Sequence, residues 1–219
     1  DRYLFTATGR YDGSSKFGKN NKYAFFPSFA FAWRASEESF LKGVNWLNNL
    51  KVRTSIGETG NQEIGNYAFY QKLGSENTIF GNDYYTALYR STFGNPDLKW
   101  EKTLQWDAGV DVSVLNQRID LSLDYYYKKT IDLVTEVSLP TSSGFTKYTD
   151  NMGEILNEGV ELDLNVRAYS DKDWDVIVFG NLAHNKNKIL KISESLKQYN
   201  ERIDEYFQDY YSIYGTPSE

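Results

Sequence analysis

"LQWDAGVDVSVLNQRIDLSLDYYYKK", residues 104–129, is the stretch whose reading decides the fold. Every second residue from Leu104 is apolar: Leu104, Trp106, Ala108, Val110, Val112 and Val114. Between them stand Gln105, Asp107, Gly109, Asp111 and Ser113. After Asn116 and Gln117 the alternation resumes, with Ile119, Leu121, Leu123, Tyr125 and Tyr127 set against Arg118, Asp120, Ser122 and Asp124. A period of two marks a strand with two unlike faces. Two such runs around a two-residue turn predict an antiparallel hairpin joined at Asn116-Gln117. A soluble sheet turns its apolar face to a protein core. A membrane barrel turns it outward, to lipid.

The same pattern extends in both directions. Residues 2–12 alternate Tyr3, Phe5, Ala7, Gly9 and Tyr11 with Leu4, Thr6, Thr8, Arg10 and Asp12. Residues 23–35 put Tyr23, Phe25, Phe29, Phe31 and Trp33 on one face; Phe26 breaks the phase, and Pro27 is unusual for a central strand. Residues 36–49 space Phe40, Leu41, Val44 and Leu47 helically behind Ser36, which predicts a short capped helix. A strand is predicted over 50–58, shorter ones near 67–73 and 78–89, and long ones over 100–115, 118–132, 152–169 and 174–187. Residues 190–211 are charged and periodic and predict a loop with a helix.

Two features separate the readings of these faces. Connections alternate between tight ("NQ", "SDKD") and long (133–151, and 188 onward). Outer-membrane barrels are built this way, with short periplasmic turns and long extracellular loops. On that reading 36–49 is periplasmic, and 13–22, 59–99 and 188–219 are extracellular. The strands are also long, about sixteen positions against roughly five or six in soluble sheets, where about nine to eleven tilted residues cross a bilayer. Trp100, Trp106, Tyr125 and Tyr127 lie toward strand ends with aliphatics between, as an interfacial aromatic belt requires.

Composition fits without deciding. The chain has 219 residues, a net charge of −6, no cysteine and 16% aromatics. The charge gives no basic footprint for nucleic acid. A mean hydropathy of −0.60 looks soluble, yet alternating barrel strands with polar loops score the same way. No apolar run is long enough for a transmembrane helix. The strands predicted here are too few to close alone, and the chain starts and stops in mid-pattern. It reads as residues 1–219 of one larger antiparallel transmembrane β-barrel domain. Two rivals stay open on the residues alone: a soluble extracellular carbohydrate-binding β-sandwich, and a structural or adhesive outer-membrane barrel.

Four segments, in order, resemble the barrel of SusC/RagA-type TonB-dependent outer-membrane transporters. They are "GRYDGSSKFGKNNKYAFFPSFAFAWRASEESFL" (9–41), "LKVRTSIGETGNQEIGNYAFY" (50–70), "GNPDLKWEKTLQWDAGVDVSVLNQRIDLSLDYYYKKTIDLV" (94–134) and "SSGFTKYTDNMGEILNEGVELDLNV" (142–166). The resemblance implies an all-β barrel of about 22 strands with an N-terminal plug. It implies import of large nutrients, oligosaccharides or peptides, across the outer membrane of a Bacteroidetes-type Gram-negative bacterium. It implies a SusD-like surface lipoprotein as lid and TonB as power source. No plug, TonB-contacting segment or closing strand matches within these residues.

On this reading Leu104, Trp106, Val110, Val112, Leu121 and Leu123 face outer-membrane lipid, and Asp107, Asp111, Asp120 and Asp124 face the lumen. An Asp111→Asn change is then expected to leave assembly unchanged. No catalytic constellation stands out, and the protein reads as a transporter rather than an enzyme, with no cofactor. His184, the one histidine, falls on an apolar face and reads as packed or interfacial. "DNMGE" (150–154) lacks the oxygen ligands of a calcium loop, and "GSSKFG" lacks the Lys-Ser/Thr pair of a phosphate loop. Long-loop tyrosines are the better candidates. "NDYYTALYR" (82–90) brings Tyr84, Tyr85 and Tyr89 close together in sequence, and each ring offers a flat face and a hydroxyl to a sugar, a peptide or the lid. "DEYFQDYYSIY" (204–214) is the second aromatic stretch.

Overall fold

The computed structural model describes residues 1–192, 197–198 and 200–205. Among these, seven strands form one antiparallel meander in the order β1-β2-β3-β6-β7-β8-β9. They are β1 (Tyr3–Gly13), β2 (Tyr23–Arg34), β3 (Leu47–Asn61), β6 (Glu101–Val114), β7 (Ile119–Ser138), β8 (Lys147–Ser170) and β9 (Asp175–Lys191). The remaining two, β4 (Leu73–Phe80) and β5 (Asp83–Arg90), form a separate hairpin between β3 and β6. This is a curtain of barrel wall, open at β1 and β9 among the described residues. No helix in it is long and apolar enough to cross a membrane.

Register turns the alternation of single strands into continuous rows. Trp33, Val52, Val110, Leu123, Leu162 and Leu182 stand side by side on successive strands. Next to that row, on the other face, run Arg53, Gly109, Asp124 and Glu161. A one-residue slip anywhere would throw every apolar side chain to the wrong face, so the rows pin the register. Among the described residues no packed interior covers the apolar face: Trp106 is 41% exposed and Leu123 45%. The Trp106 and Tyr125 rings meet edge-on at 5.7 Å, a cross-strand aromatic contact on that face.

The hydrophobic core lies elsewhere. Phe17, Phe26, Leu98 and Trp100 are buried together, with Ile64, Ala68 and Phe69 against them. This cluster joins the 14–22 connection to both ends of the long 62–100 insertion. It explains Phe26, which leaves the apolar phase of β2 to lie over Gly60, where any side chain would collide with its ring. Pro27 sits just beyond the last β2–β3 pair, Ser28 with Gly57. Trp100 does not belong to an outer aromatic belt. It packs against Phe17 and Phe26, and its indole N–H donates to the Lys22 carbonyl at 3.3 Å.

Several local expectations are corrected. The helix over 36–49 is absent; a 3-10 turn at Ala35–Glu37 is followed by i→i−3 bonds, and β3 begins at Leu47. The apolar spacing there had no surface to bury against, and Glu38 is instead held by Tyr3, Trp33 and Arg2. No strand occupies 67–72, and 78–89 holds the end of β4, a turn and most of β5. The β6–β7 connection is four residues rather than two: Val114 pairs with Ile119, and Leu115, Asn116 and Gln117 all adopt left-handed backbone. Two of its amides bond to the neighbouring segment, Leu115 N donating to Trp46 O and Gln117 N to Asn48 Oδ1, and Arg118 N returns to Val114 O. Most of the "long loop" 133–151 is strand, because β7 and β8 run on past β6 through two register shifts and leave only 139–146 between them. At the same end β9 continues to Lys191. Residues 200–205 are helical. Residues 206–219, and with them most of the Tyr-rich 204–214 stretch, lie outside the described residues.

Candidate functional site

The connections sort by end. Residues 35–46, 115–118 and 171–174 lie at one end of the sheet; 14–22, 62–100 and 139–146 lie at the other. This sorting follows from chain order in a strict meander, and the long 62–100 insertion makes the two ends unequal. The end with long connections therefore gathers most of the irregular backbone, where recognition on a rigid scaffold is usually built.

Behind those connections the polar face carries a cross-strand charge cluster. Asp111 accepts from Lys51 Nζ at 3.3 Å, from Arg53 Nε at 3.2 Å and from Ser122 Oγ at 2.9 Å. Arg53 Nη2 donates to Asp124 Oδ2 at 2.7 Å. Asp107 accepts from Ser55 Oγ at 3.1 Å and from Gln105 Nε2 at 3.0 Å. Asp120 is exposed and makes no ion pair among the described residues. Asp107, Asp111, Asp120 and Asp124 thus share one face, and Leu104, Trp106, Val110, Val112, Leu121 and Leu123 share the other. Sequence reading missed Arg53, Lys51 and Ser122 as the partners of these acids. All three stand in the polar phase of their strands, which was the available signal. A shallow depression on this face is lined by Leu4, Thr6, Ala32, Arg53, Ser55 and Asp107.

The tyrosines of the long insertion are split. β5 pairs Tyr84 with Ile79, Tyr85 with Thr78 and Tyr89 with Gly74. Tyr85 and Tyr89 share a face of the hairpin, and Tyr84 projects from the opposite one, so the three do not form one cluster. The stretch is a strand, and a period of two separates adjacent residues. All three are open to solvent, Tyr84 at 80%, Tyr85 at 52% and Tyr89 at 50%.

The base of this hairpin is fixed. Asn151 on β8 donates to the Lys99 carbonyl at 2.9 Å and to the Asp132 carbonyl at 2.7 Å, and accepts from Lys99 N at 2.9 Å. Asn95 donates to Thr149 O at 3.1 Å and Asp150 Oδ1 at 2.9 Å. Lys99 Nζ pairs with Asp132 at 2.9 Å. At Gly94 the returning chain passes so close to Tyr70 and Gln71 that a Cβ would strike their backbone. These asparagines were not singled out from sequence, because an isolated Asn gives no periodic signal.

His184 stands opposite Val160 on the exposed edge strand β9, in the row of Ala108 and Tyr125. Among the described residues no group of three or more His, Cys, Asp or Glu side chains is placed to hold a metal ion. Asp150 of "DNMGE" accepts from Asn95 Nδ2, the Asn151 amide and the Tyr148 hydroxyl.

Comparison with known proteins agrees with the architecture. Residues 1–216 match the family described as TonB dependent receptor-like, beta-barrel. The TonB-dependent receptor P3 of Formosa agariphila is 42% identical over 193 residues, covering 88% of this chain and 19% of that protein. The TonB-dependent receptor SusC of Bacteroides thetaiotaomicron is 41% identical over 199 residues, covering 88% of this chain and 20% of SusC. A structure of the RagAB peptide importer in the closed-closed state superposes with a TM-score of 0.80 at 35% identity, over 87% of this chain and 21% of that one. The chain thus spans about a fifth of the length of these relatives. With almost every residue matched, and a two-faced antiparallel meander to match it, this chain belongs to the TonB-dependent receptor β-barrel family.

Proposed function

We propose that these residues form part of the wall of an outer-membrane importer for large nutrients, oligosaccharides or peptides. The whole transporter is powered through TonB and covered by a SusD-like surface lipoprotein, in the outer membrane of a Bacteroidetes-type bacterium. The observation that carries this reading is the continuous, uncovered apolar row across six strands, backed by a charged row on the other face. A sandwich would cover that row with a second sheet; a membrane leaves it to lipid. Leu104, Trp106, Val110, Val112, Leu121 and Leu123 are the lipid contacts on this reading. Asp107, Asp111, Asp120 and Asp124 face water in the lumen. The long connections are extracellular, and the hairpin with Tyr84, Tyr85 and Tyr89 meets substrate or lid. The similarity to SusC and to the RagAB peptide importer supports the importer reading.

The test uses cells carrying the intact protein. Uptake of labelled oligosaccharides and peptides is measured with and without the gene, and with and without a protonophore. Gene- and energy-dependent uptake of either class is expected. Unchanged uptake of both when the gene is removed overturns the reading. The faces are tested separately, helped by a chain that has no native cysteine. Asp120→Cys should react with a water-soluble maleimide and Val112→Cys should resist it, because a thiol in hydrocarbon does not ionise; the reverse pattern overturns the assignment.

A further inference from the structure

The hairpin β4–β5 has two free edges among the described residues. Natural sheets defend such edges with proline, lysine, bulges or very short strands. Neither LGSENTIF nor DYYTALYR contains proline or lysine, and the eight-residue pairing runs without a bulge. An isolated two-stranded ribbon is marginal in water. This one is nonetheless held on a rigid base, by the buried cluster around Leu98 and Trp100 and by the Asn151 and Asn95 contacts.

Register shows which groups each edge offers. In an antiparallel pair, opposed residues alternate between exchanging both main-chain bonds and turning them outward. Phe80 and Asp83 close the two-residue turn at Gly81-Asn82, and Lys72 O accepts from Ser91 N at 2.8 Å, eight positions further along the ladder and in the same phase. The inward pairs are therefore Thr78–Tyr85, Glu76–Ala87 and Gly74–Tyr89. The outward groups on β5 are those of Tyr84, Thr86, Leu88 and Arg90; on β4 they are those of Leu73, Ser75, Asn77 and Ile79. The edge from Tyr84 to Leu88 carries no charge and is rich in strand-favouring residues. The β4 edge is interrupted by Glu76 and Gly74.

We propose that the free edge of β5 captures an extended peptide by strand addition. Main-chain donors and acceptors of Tyr84, Thr86 and Leu88 bind the peptide backbone, and the two faces of the hairpin receive its alternating side chains. This rests on the importer reading and narrows its substrate class to peptides. An edge reads backbone rather than sequence, so it suits a transporter that accepts many peptides, and it offers no matching ladder to an oligosaccharide.

The test uses the intact transporter in detergent and a fluorescein-labelled decapeptide of alternating Thr and Val. A second peptide has the same sequence with every other amide N-methylated. The unmethylated peptide should bind at least about tenfold more tightly, the effect expected from losing two or three main-chain hydrogen bonds. Thr86→Pro removes one outward N–H from the β5 edge, and Asn77→Pro removes one from the β4 edge. Both lose the same cross-strand bond, Thr86 Oγ1 to Asn77 Oδ1 at 3.2 Å, so that loss cancels between them. Binding should fall about tenfold in Thr86→Pro and stay near wild type in Asn77→Pro. Equal affinity for the two peptides overturns the proposal without relying on any variant. So does equal behaviour of the two proline variants. Loss of lipoprotein co-purification, or of self-association, in Thr86→Pro with peptide binding intact assigns the edge to another occupant and also overturns it. If uptake remains gene- and energy-dependent while the edge tests fail, only the edge is lost; if the edge tests succeed without such uptake, the importer reading is lost instead.

Discussion

Arg53 on β3 reaches across β6 to Asp124 on β7, its Nη2 2.7 Å from Oδ2, by passing over Gly109, the register partner of both. Three strands are stitched at one level because the middle residue has no side chain. A Cβ at Gly109 would run into Asp124 Oδ1 and stand 2.9 Å from Arg53 Cζ. Neither charge is deeply buried, with Arg53 side chain 36% exposed, so the ion pair itself contributes little. The crowding matters more. Gly109→Ala should destabilise the barrel by about 1–3 kcal/mol, read as a lower midpoint in urea unfolding from liposomes. An unchanged midpoint would show that Arg53 moves aside freely.

The two faces should respond oppositely to charge. Val112→Arg puts a cation into the apolar row and should cost about 2–4 kcal/mol if it lies near the bilayer midplane. Asp120→Asn changes an exposed acid on the other face, without an ion pair among the described residues, and should stay within about 0.5 kcal/mol. Asp111→Asn, expected from sequence to be silent, falls between them. It takes a partner from both Lys51 and Arg53 and should cost about 1 kcal/mol. Folding yields into liposomes rank the three; Val112→Arg and Asp120→Asn at equal yield would contradict the face assignment.

Asp111 shows where sequence reading stops. Alternation over 104–129 gives strand, face and neighbour order, because those depend on a period that every residue in the run repeats. Even the ends of β7 and β8 were misjudged, since the pattern blurs at the register shifts after Thr130 while pairing continues to Ser138 and Lys147. The apparent helix over 36–49 failed for the converse reason: Phe40, Leu41 and Val44 repeat helically by chance in a segment with nothing to pack on. Which cation meets Asp111, and that Asn151 clamps Lys99, depend on single residues from strands far apart in sequence. The long insertion was legible as aromatic and irregular, but its hairpin register, and so the division of its tyrosines, was not.

At the short-turn end, Glu38 offers a pH handle outside the spanning strands. Its Oε1 accepts from the Tyr3 hydroxyl at 2.6 Å and from Trp33 Nε1 at 3.2 Å, and Oε2 meets Arg2 at 3.3 Å. These contacts favour the carboxylate, the Tyr3 hydroxyl most, and hold Glu38 below the usual carboxyl range. A depressed folded-state value means that the stabilisation is present above the ordinary carboxyl range and is lost as pH falls through the lowered one. Tyr3→Phe removes the largest of these effects and should move the Glu38 titration upward, followed by the carboxyl carbon shift of labelled glutamate. A titration that stays in place would assign the depression to Trp33 and Arg2.

The division of the tyrosines makes the last prediction sharper than a triple deletion alone. Replacing Tyr84, Tyr85 and Tyr89 together by Ala should weaken nutrient uptake or lid association by about tenfold or more, as for aromatic anchors at other binding surfaces. Barrel abundance in the outer membrane should be unchanged, because the rings are exposed and stand outside the buried cluster of the described residues. Tyr85 and Tyr89 share a face, so Tyr85→Ala with Tyr89→Ala should reproduce more of that loss than Tyr84→Ala if the ligand lies on that side. Gly74→Ala provides a check that leaves every tyrosine in place. The Tyr89 ring lies over Gly74, its Cζ 2.7 Å from where a Cβ would stand. The added methyl must displace the ring, and the variant should behave like Tyr89→Ala. Wild-type uptake and wild-type lipoprotein co-purification in the triple variant would remove the hairpin faces from the binding site. Lost abundance would mean instead that the rings stabilise the insertion, and Gly74→Ala would then lower abundance too.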